Sequence, residues 1–118
     1  MGANTVIAAY RARTGCEDRL LALLRSHYPV LRRLGLVTEQ AAILLKSAHE
    51  QVYIEIFEWS SQEAIGIAHQ SAEVNALWAE LNEIGDYITL ASLKECGKPF
   101  AKFAHVTTIQ EKADRRAA

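Results

Sequence analysis

Hydrophobic and polar positions alternate most clearly over Val52 to Trp59, where Val52, Ile54, Ile56 and Glu58 fall on one side and Tyr53, Glu55, Phe57 and Trp59 on the other. Period-two alternation of β-branched and aromatic residues predicts a strand, and large side chains on both faces predict cover on both. The period then changes. Ser60 and Glu63 have the spacing of a capping box, and Ile65, Ala68, His69, Ala72, Val74, Leu77, Trp78, Leu81 and Ile84 continue as a helical stripe. Gln70-Ser71 interrupts that stripe, and Ser71 can cap a second segment, so the helix is expected to bend there with His69 beside the bend.

Upstream, Thr5 to Arg13 alternates as a strand rich in small residues, which is most simply room for a closely packed helix. Thr14 and Glu17 repeat the capping-box spacing, and Leu20, Leu24, His27, Leu31 and Leu34 form the stripe of a first helix that Gly35 terminates. Pro29 falls inside this stripe and predicts a kink or a restart. Ala42 to Ser47 and Val52 to Trp59 read as an antiparallel hairpin, and Tyr87 to Leu93 resumes alternation as a fourth strand after Gly85-Asp86. The order strand, helix, strand, strand, helix, strand predicts the α+β class. It is the ferredoxin-like β-α-β-β-α-β arrangement, an antiparallel sheet with two helices on one face. Residues 1–97 are assigned to that domain and 98–111 to a C-terminal arm carrying Phe100, Phe103 and the β-branched run His105 to Ile109. Residues 112–118 form a tail without periodicity, expected to be disordered.

Length and charge narrow the function classes. A chain of 118 residues makes one core, and a net charge of -1 lacks the basic excess that phosphate neutralisation needs, so no nucleic-acid partner is expected. The N-terminal hydrophobic run is broken at Arg11, which predicts neither a signal peptide nor a membrane span, and the expected location is cytoplasmic. Cys16 and Cys96 stand apart from each other and from any Cys/His cluster, and two reduced thiols are expected.

The chain resembles the dimeric α/β-barrel superfamily, in particular its antibiotic biosynthesis monooxygenase-like branch, over roughly Thr5 to Leu93. The resemblance rests on the first strand running into Thr14-Gly15, the strand ending IFEW, Ser60 to Glu63 opening a helix, and the run from His69 to Trp78. It implies a homodimer with two sheets face to face, forming a dimeric α/β barrel, and a small-molecule cavity in each subunit between sheet and helices. A partner sheet would supply the missing cover on the second face of Val52 to Trp59. Members of the family include cofactor-independent monooxygenases acting on phenols, haem-degrading enzymes and isomerases. The haem-degrading members use an Asn on the first strand and a Trp and a His on the second helix, whereas the matching positions here are Ala8, Ala68 and Ala79. No cofactor is therefore expected.

His69 is the expected proton-transfer group, an imidazole on the core side of the second helix beside its interruption; the competing expectation is a ring bonded on both nitrogens to loosened backbone. Trp59, Trp78, His27, Tyr10 and Ala8 are the expected ligand-binding wall, for a small aromatic ligand. His27 near Pro29 also suits a backbone-satisfying role, and two inward histidines without a third ligand at fixed spacing point to no metal site. Glu55 on an apolar face requires a partner, and Arg11 or Arg13 on the first strand is expected to supply it. The function expected is that of a small-molecule enzyme of the cofactor-independent monooxygenase kind, the alternatives being a non-catalytic ligand-binding module or a dimerisation module.

Overall fold

The computed structural model describes residues 2–110; the expectation for 112–118 lies outside them. It runs β1 (Asn4–Ala12), α1 (Glu17–Arg33), β2 (Ala42–Lys46), β3 (Val52–Trp59), α2 (Gln62–Gln70), α3 (Ala72–Ile84), β4 (Gly85–Ile88), two 3-10 turns (Leu90–Ser92 and Lys94–Gly97) and β5 (Ala104–Ile109). The strands form one antiparallel sheet in the order β4-β1-β3-β2-β5. The fold is α+β and compatible with the ferredoxin-like arrangement.

Three helices cover one face. Phe57 and Trp59 pack with Tyr28, Leu31, Ala64, Ala68 and Val74, while Tyr10, Leu44 and Tyr53 pack with Leu20, Leu24, Leu81 and Ile84. The third helix arises because Ser71 ends α2 and caps α3, its hydroxyl accepting from the Val74 amide. Local caps differ from expectation by a residue or more. Ser61, not Ser60, caps α2 by accepting from the Ala64 amide, and Ser60 instead donates to the Leu36 carbonyl. Helix α1 begins after Cys16 with no side-chain cap, because Thr14-Gly15 is spent on the turn, with Gly15 at φ 80°. Gly35 ends the same helix at φ 77°. Pro29 does not restart α1, which continues to Arg33; one lost backbone bond is outweighed by the burial of Leu24, Tyr28 and Leu31 on the same stripe.

The C-terminal stretch departs most from the sequence reading. Strand β4 starts at Gly85 directly from α3 and ends at Ile88, where a strand over Tyr87 to Leu93 was expected. Gly85 suits this close approach, since a Cβ there would stand 3.1 Å from the Arg11 carbonyl oxygen. Beyond β4 the chain crosses the outer face of the sheet, and Leu90, Leu93, Cys96 and Phe103 pack on Ala9, Val52, Ile54 and Ile88. Part of the cover sought for β3 therefore comes from this chain itself, through residues whose alternation imitates a strand. The arm ends as β5, paired with the edge of β2 through an irregularity between Leu44 and Leu45. Farther along the outer face Ile7 remains 49% exposed, and Phe100 on the crossing segment is 89% exposed.

The crossing segment is anchored by Glu95, whose Oε2 accepts from the Ser47 hydroxyl at 2.6 Å and from the Ala48 amide at 3.2 Å. The Ser47 hydroxyl bond, ahead of the opposing effect of burial, holds this carboxyl below its ordinary value of 4.5. A carboxyl with a lowered folded pKa stabilises the fold above its unfolded value, and that contribution is lost as pH falls through the folded one. Stability followed by chemical denaturation should therefore fall between pH 4.5 and the acid limit. Ser47→Ala should flatten that part of the profile while lowering stability at neutral pH; an unchanged profile would mean that the anchor contributes nothing.

Candidate functional site

Between the helical layer and the sheet lies a cavity of about 350 Å³ lined by Val6, Ala8, Tyr10, His27, Phe57, Trp59, His69, Trp78 and Tyr87. The room has a local origin. Val6 and Ala8 on β1 are small, and the helical cover above them is divided at Ser71. The size is that of a small-ligand site, and the walls are predominantly aromatic. Phe57 and Trp59 meet edge to face at 5.3 Å between centroids, and His27 is edge-on to Phe57 at 5.7 Å.

Two of the wall residues, Tyr10 and His27, are bonded to a deeply buried polar group. Strand β3 projects Glu55, with no exposed surface, toward the helices, where the Tyr10 hydroxyl donates to Oε1 at 2.7 Å. The His27 Nδ1 lies 2.8 Å from Oε2, and the Trp78 indole N–H donates to His27 Nε2 at 3.1 Å. An indole nitrogen only donates, so Nε2 is the acceptor and the imidazole proton sits on Nδ1, pointing at the carboxylate. The result is a chain from β1 through β3 and α1 to α3: Tyr10, Glu55, His27, Trp78. Burial above all, and then the Glu55 carboxylate, push the Tyr10 phenol far above its ordinary value of 10.0, so this hydroxyl stays a donor throughout the working range of pH. Tyr87 stacks obliquely on Tyr10 at 5.5 Å, and burial followed by Glu55 raises its phenol as well.

The structure brings His69, Trp59, Trp78, His27, Tyr10 and Ala8 together around this one cavity. Their situations differ from those expected. His69 is exposed at the last turn of α2 and not on its core side, because Ala64 and Ala68 take the buried positions of that short helix. Its ring stands edge-on to Trp78 at 5.0 Å between centroids. Backbone satisfaction near the helix break comes instead from Asn75, whose side-chain amide donates to the His69 carbonyl at 2.8 Å. His27 bonds Glu55 and Trp78 and not the backbone. Ala8 borders open space, while Ala9 and Ala12 are packed.

The expected arginine partner of Glu55 is also corrected. Arg11 pairs with Glu50, and Arg13 with Asp86 at 3.0 Å. In the β1–β3 register Ala8 stands opposite Glu55 and Tyr10 opposite Tyr53, so the odd-numbered arginines belong to the other face. Side-chain parity along β1 was the available signal for Tyr10. Val6, Phe57 and Tyr87 stood outside the expected wall, and only the pairing of β4 with β1 places Tyr87 beside Tyr10. Among the described residues no three His, Cys, Asp or Glu side chains converge as a metal site, and no helix is long and apolar enough to cross a membrane. Cys16 and Cys96 are unbonded thiols.

Fold and cavity together define a class: an antiparallel α+β domain with an aromatic cavity under its helices and a buried carboxylate–imidazole pair whose imidazole, His27, lines the cavity. No protein-family model, curated protein or solved structure matches the chain.

The geometry makes Tyr10 a support of the buried carboxylate. Tyr10→Phe removes one of the two donors to Glu55 and leaves Oε1 without a partner, which should cost about 1–3 kcal/mol. Urea unfolding checks this, and a variant as stable as the parent would show that Oε1 is satisfied by another donor.

Proposed function

We propose that the chain is a homodimeric α/β-barrel protein that holds a small aromatic ligand between sheet and helices and acts as a cofactor-independent, monooxygenase-like enzyme on an ionisable phenol. The observation that carries this reading is the cavity of about 350 Å³, whose aromatic walls suit a flat molecule and whose rim bears the exposed imidazole of His69. His69 is the group that exchanges the phenol's proton with solvent. The electron-rich phenolate then reacts directly with dioxygen, a chemistry taken from the resemblance noted in the sequence. Dimerisation is supported by the outer face of the sheet, where Ile7 is 49% exposed and Ile43 and Ile56 are half-buried. A second sheet laid on this face removes apolar surface from water at roughly 25 cal/mol per Å².

A non-catalytic binding module is the second reading. It draws on the saturation of Tyr10, Glu55 and His27 by one another, which leaves His69 as the cavity histidine whose ring makes no hydrogen bond among the described residues. The two readings part on turnover.

Sedimentation at micromolar concentration should give twice the 13.1 kDa subunit mass, and Ile7→Lys, at a position that is half-exposed within the subunit, should shift it to monomer. A parent protein that sediments as a monomer would remove the barrel. Oxygen uptake with an electron-rich hydroquinone should be present in the parent and fall by about 10² to 10⁴ in His69→Gln, with ligand binding retained. Binding without any oxygen uptake in the parent favours the binding module.

A further inference from the structure

Glu55 and His27 have no part in the reading above, yet they form the most deeply buried ionisable pair of the described chain. Their side chains are 0% and 4% exposed, and they meet at 2.8 Å. A carboxylate without exposed surface is costly unless every oxygen is engaged, and both of its oxygens are. Such a group is retained at less cost by an amide or an apolar residue if packing is its whole role. Its consequence for His27 is specific: the ring is held by Nδ1, and Nε2 is turned to the indole N–H of Trp78 on the cavity wall. A carboxylate that fixes the tautomer and orientation of a cavity-lining imidazole, whose other nitrogen is held only by the indole of a second lining residue, is the arrangement of a general base.

We propose that His27, oriented by Glu55, is the group in this cavity that takes the proton of a bound hydroxyaromatic ligand, and that the indole N–H of Trp78 holds at Nε2 the place that the ligand hydroxyl takes. The inference rests on the reading of the cavity as a site for a small phenol. The ligand arrives neutral, since the Glu55 carboxylate is bonded directly to the wall residues His27 and Tyr10 and an anion would be repelled. Its O–H displaces the indole from Nε2 and the proton passes to Nε2. The ligand becomes a phenolate, and His27 becomes an imidazolium paired with Glu55. The imidazolium N–H and the released indole N–H then both donate to the phenolate oxygen. Tyr10 is a positioning residue: its hydroxyl fixes Oε1 and leaves Oε2 for His27. The groups facing the pair are Tyr10 from β1 and Trp78 from α3, with Tyr87 of β4 and His69 of α2 on the same cavity wall, so no lysine or arginine is a cavity-lining residue that competes for the charge. His69, on the far side of Trp78, is left to exchange protons with solvent.

The test uses 4-nitrophenol, whose neutral and ionised forms absorb at different wavelengths, at a pH where the free phenol is mostly neutral. Bound to the parent protein it should show the phenolate spectrum. His27→Gln and the near-isosteric Glu55→Gln should bind it as the neutral phenol, with the phenolate fraction reduced at least tenfold. A bound phenolate that survives in either His27→Gln or Glu55→Gln would overturn the assignment. So would a neutral bound phenol in the parent, and that result leaves the cavity standing as a ligand site. Absence of binding to the parent would remove the site and this inference together. Nitrogen chemical shifts of the imidazole in the parent give a reading that needs no variant: His27 should carry its proton on Nδ1 in the free protein and on both nitrogens in the complex. A ring protonated on Nε2 in the free protein would contradict the proposal.

Discussion

Glu55 is the point to which the rest of the arrangement answers. A carboxylate on the helix-facing side of the central strand, with no exposed surface, needs donors brought to it from other elements. Tyr10 comes from the neighbouring strand and His27 from the helix above, and His27 is in turn engaged by Trp78 from α3. Four elements are thereby tied at one place, and each bond restricts where its element sits. The helical layer is not free to slide over the sheet without breaking a bond to a buried charge, which costs several kcal/mol.

The same constraint shapes the cavity. Aromatic and aliphatic side chains close the interior on either side of the polar chain, with Tyr28, Leu31 and Val74 toward one end and Leu20, Leu24 and Leu81 toward the other. Between them, Val6 and Ala8 line the open space beside His27 of the carboxylate–imidazole pair. Chemistry and vacancy coincide because a polar chain of fixed length and a wall of small residues occupy adjacent strand positions. The break at Ser71 ends α2 just after His69, an exposed residue of the cavity lining.

On the other side of the sheet the constraint is apolar. Val52 and Ile54 are fully covered by the segment that crosses after β4, and Glu95 fastens that segment to the turn between β2 and β3. The cover stops short of Ile7, and the strand edge beyond β2 is occupied by β5. The domain thus pairs the edge of β2 with β5 and covers part of one face by itself, and leaves an apolar strip, which is where a second copy is proposed to lie.

The elements and their buried faces were legible in the residues alone. β3 runs over Val52–Trp59 as its alternation required, the break at Ser71 followed from a polar pair in an apolar stripe, and Gly35 ended α1 through its freedom at positive φ. Periodicity and caps are local properties, set by neighbours within a turn or a pleat. The candidate wall was legible too as a set of residues, since Ala8, Tyr10, His27, Trp59, His69 and Trp78 each lie on or beside a predicted inner face. What the residues alone left open was who meets whom. The register that sets Ala8 opposite Glu55 gives the carboxylate to Tyr10 and His27 and sends Arg11 and Arg13 to the other face. The folding of Leu90 and Leu93 onto the outer face in 3-10 turns ended a strand that alternation would have continued. Those outcomes were decided by tertiary structure, because strand pairing and the satisfaction of a buried charge depend on residues 28 and 45 positions apart, and no local pattern encodes that distance.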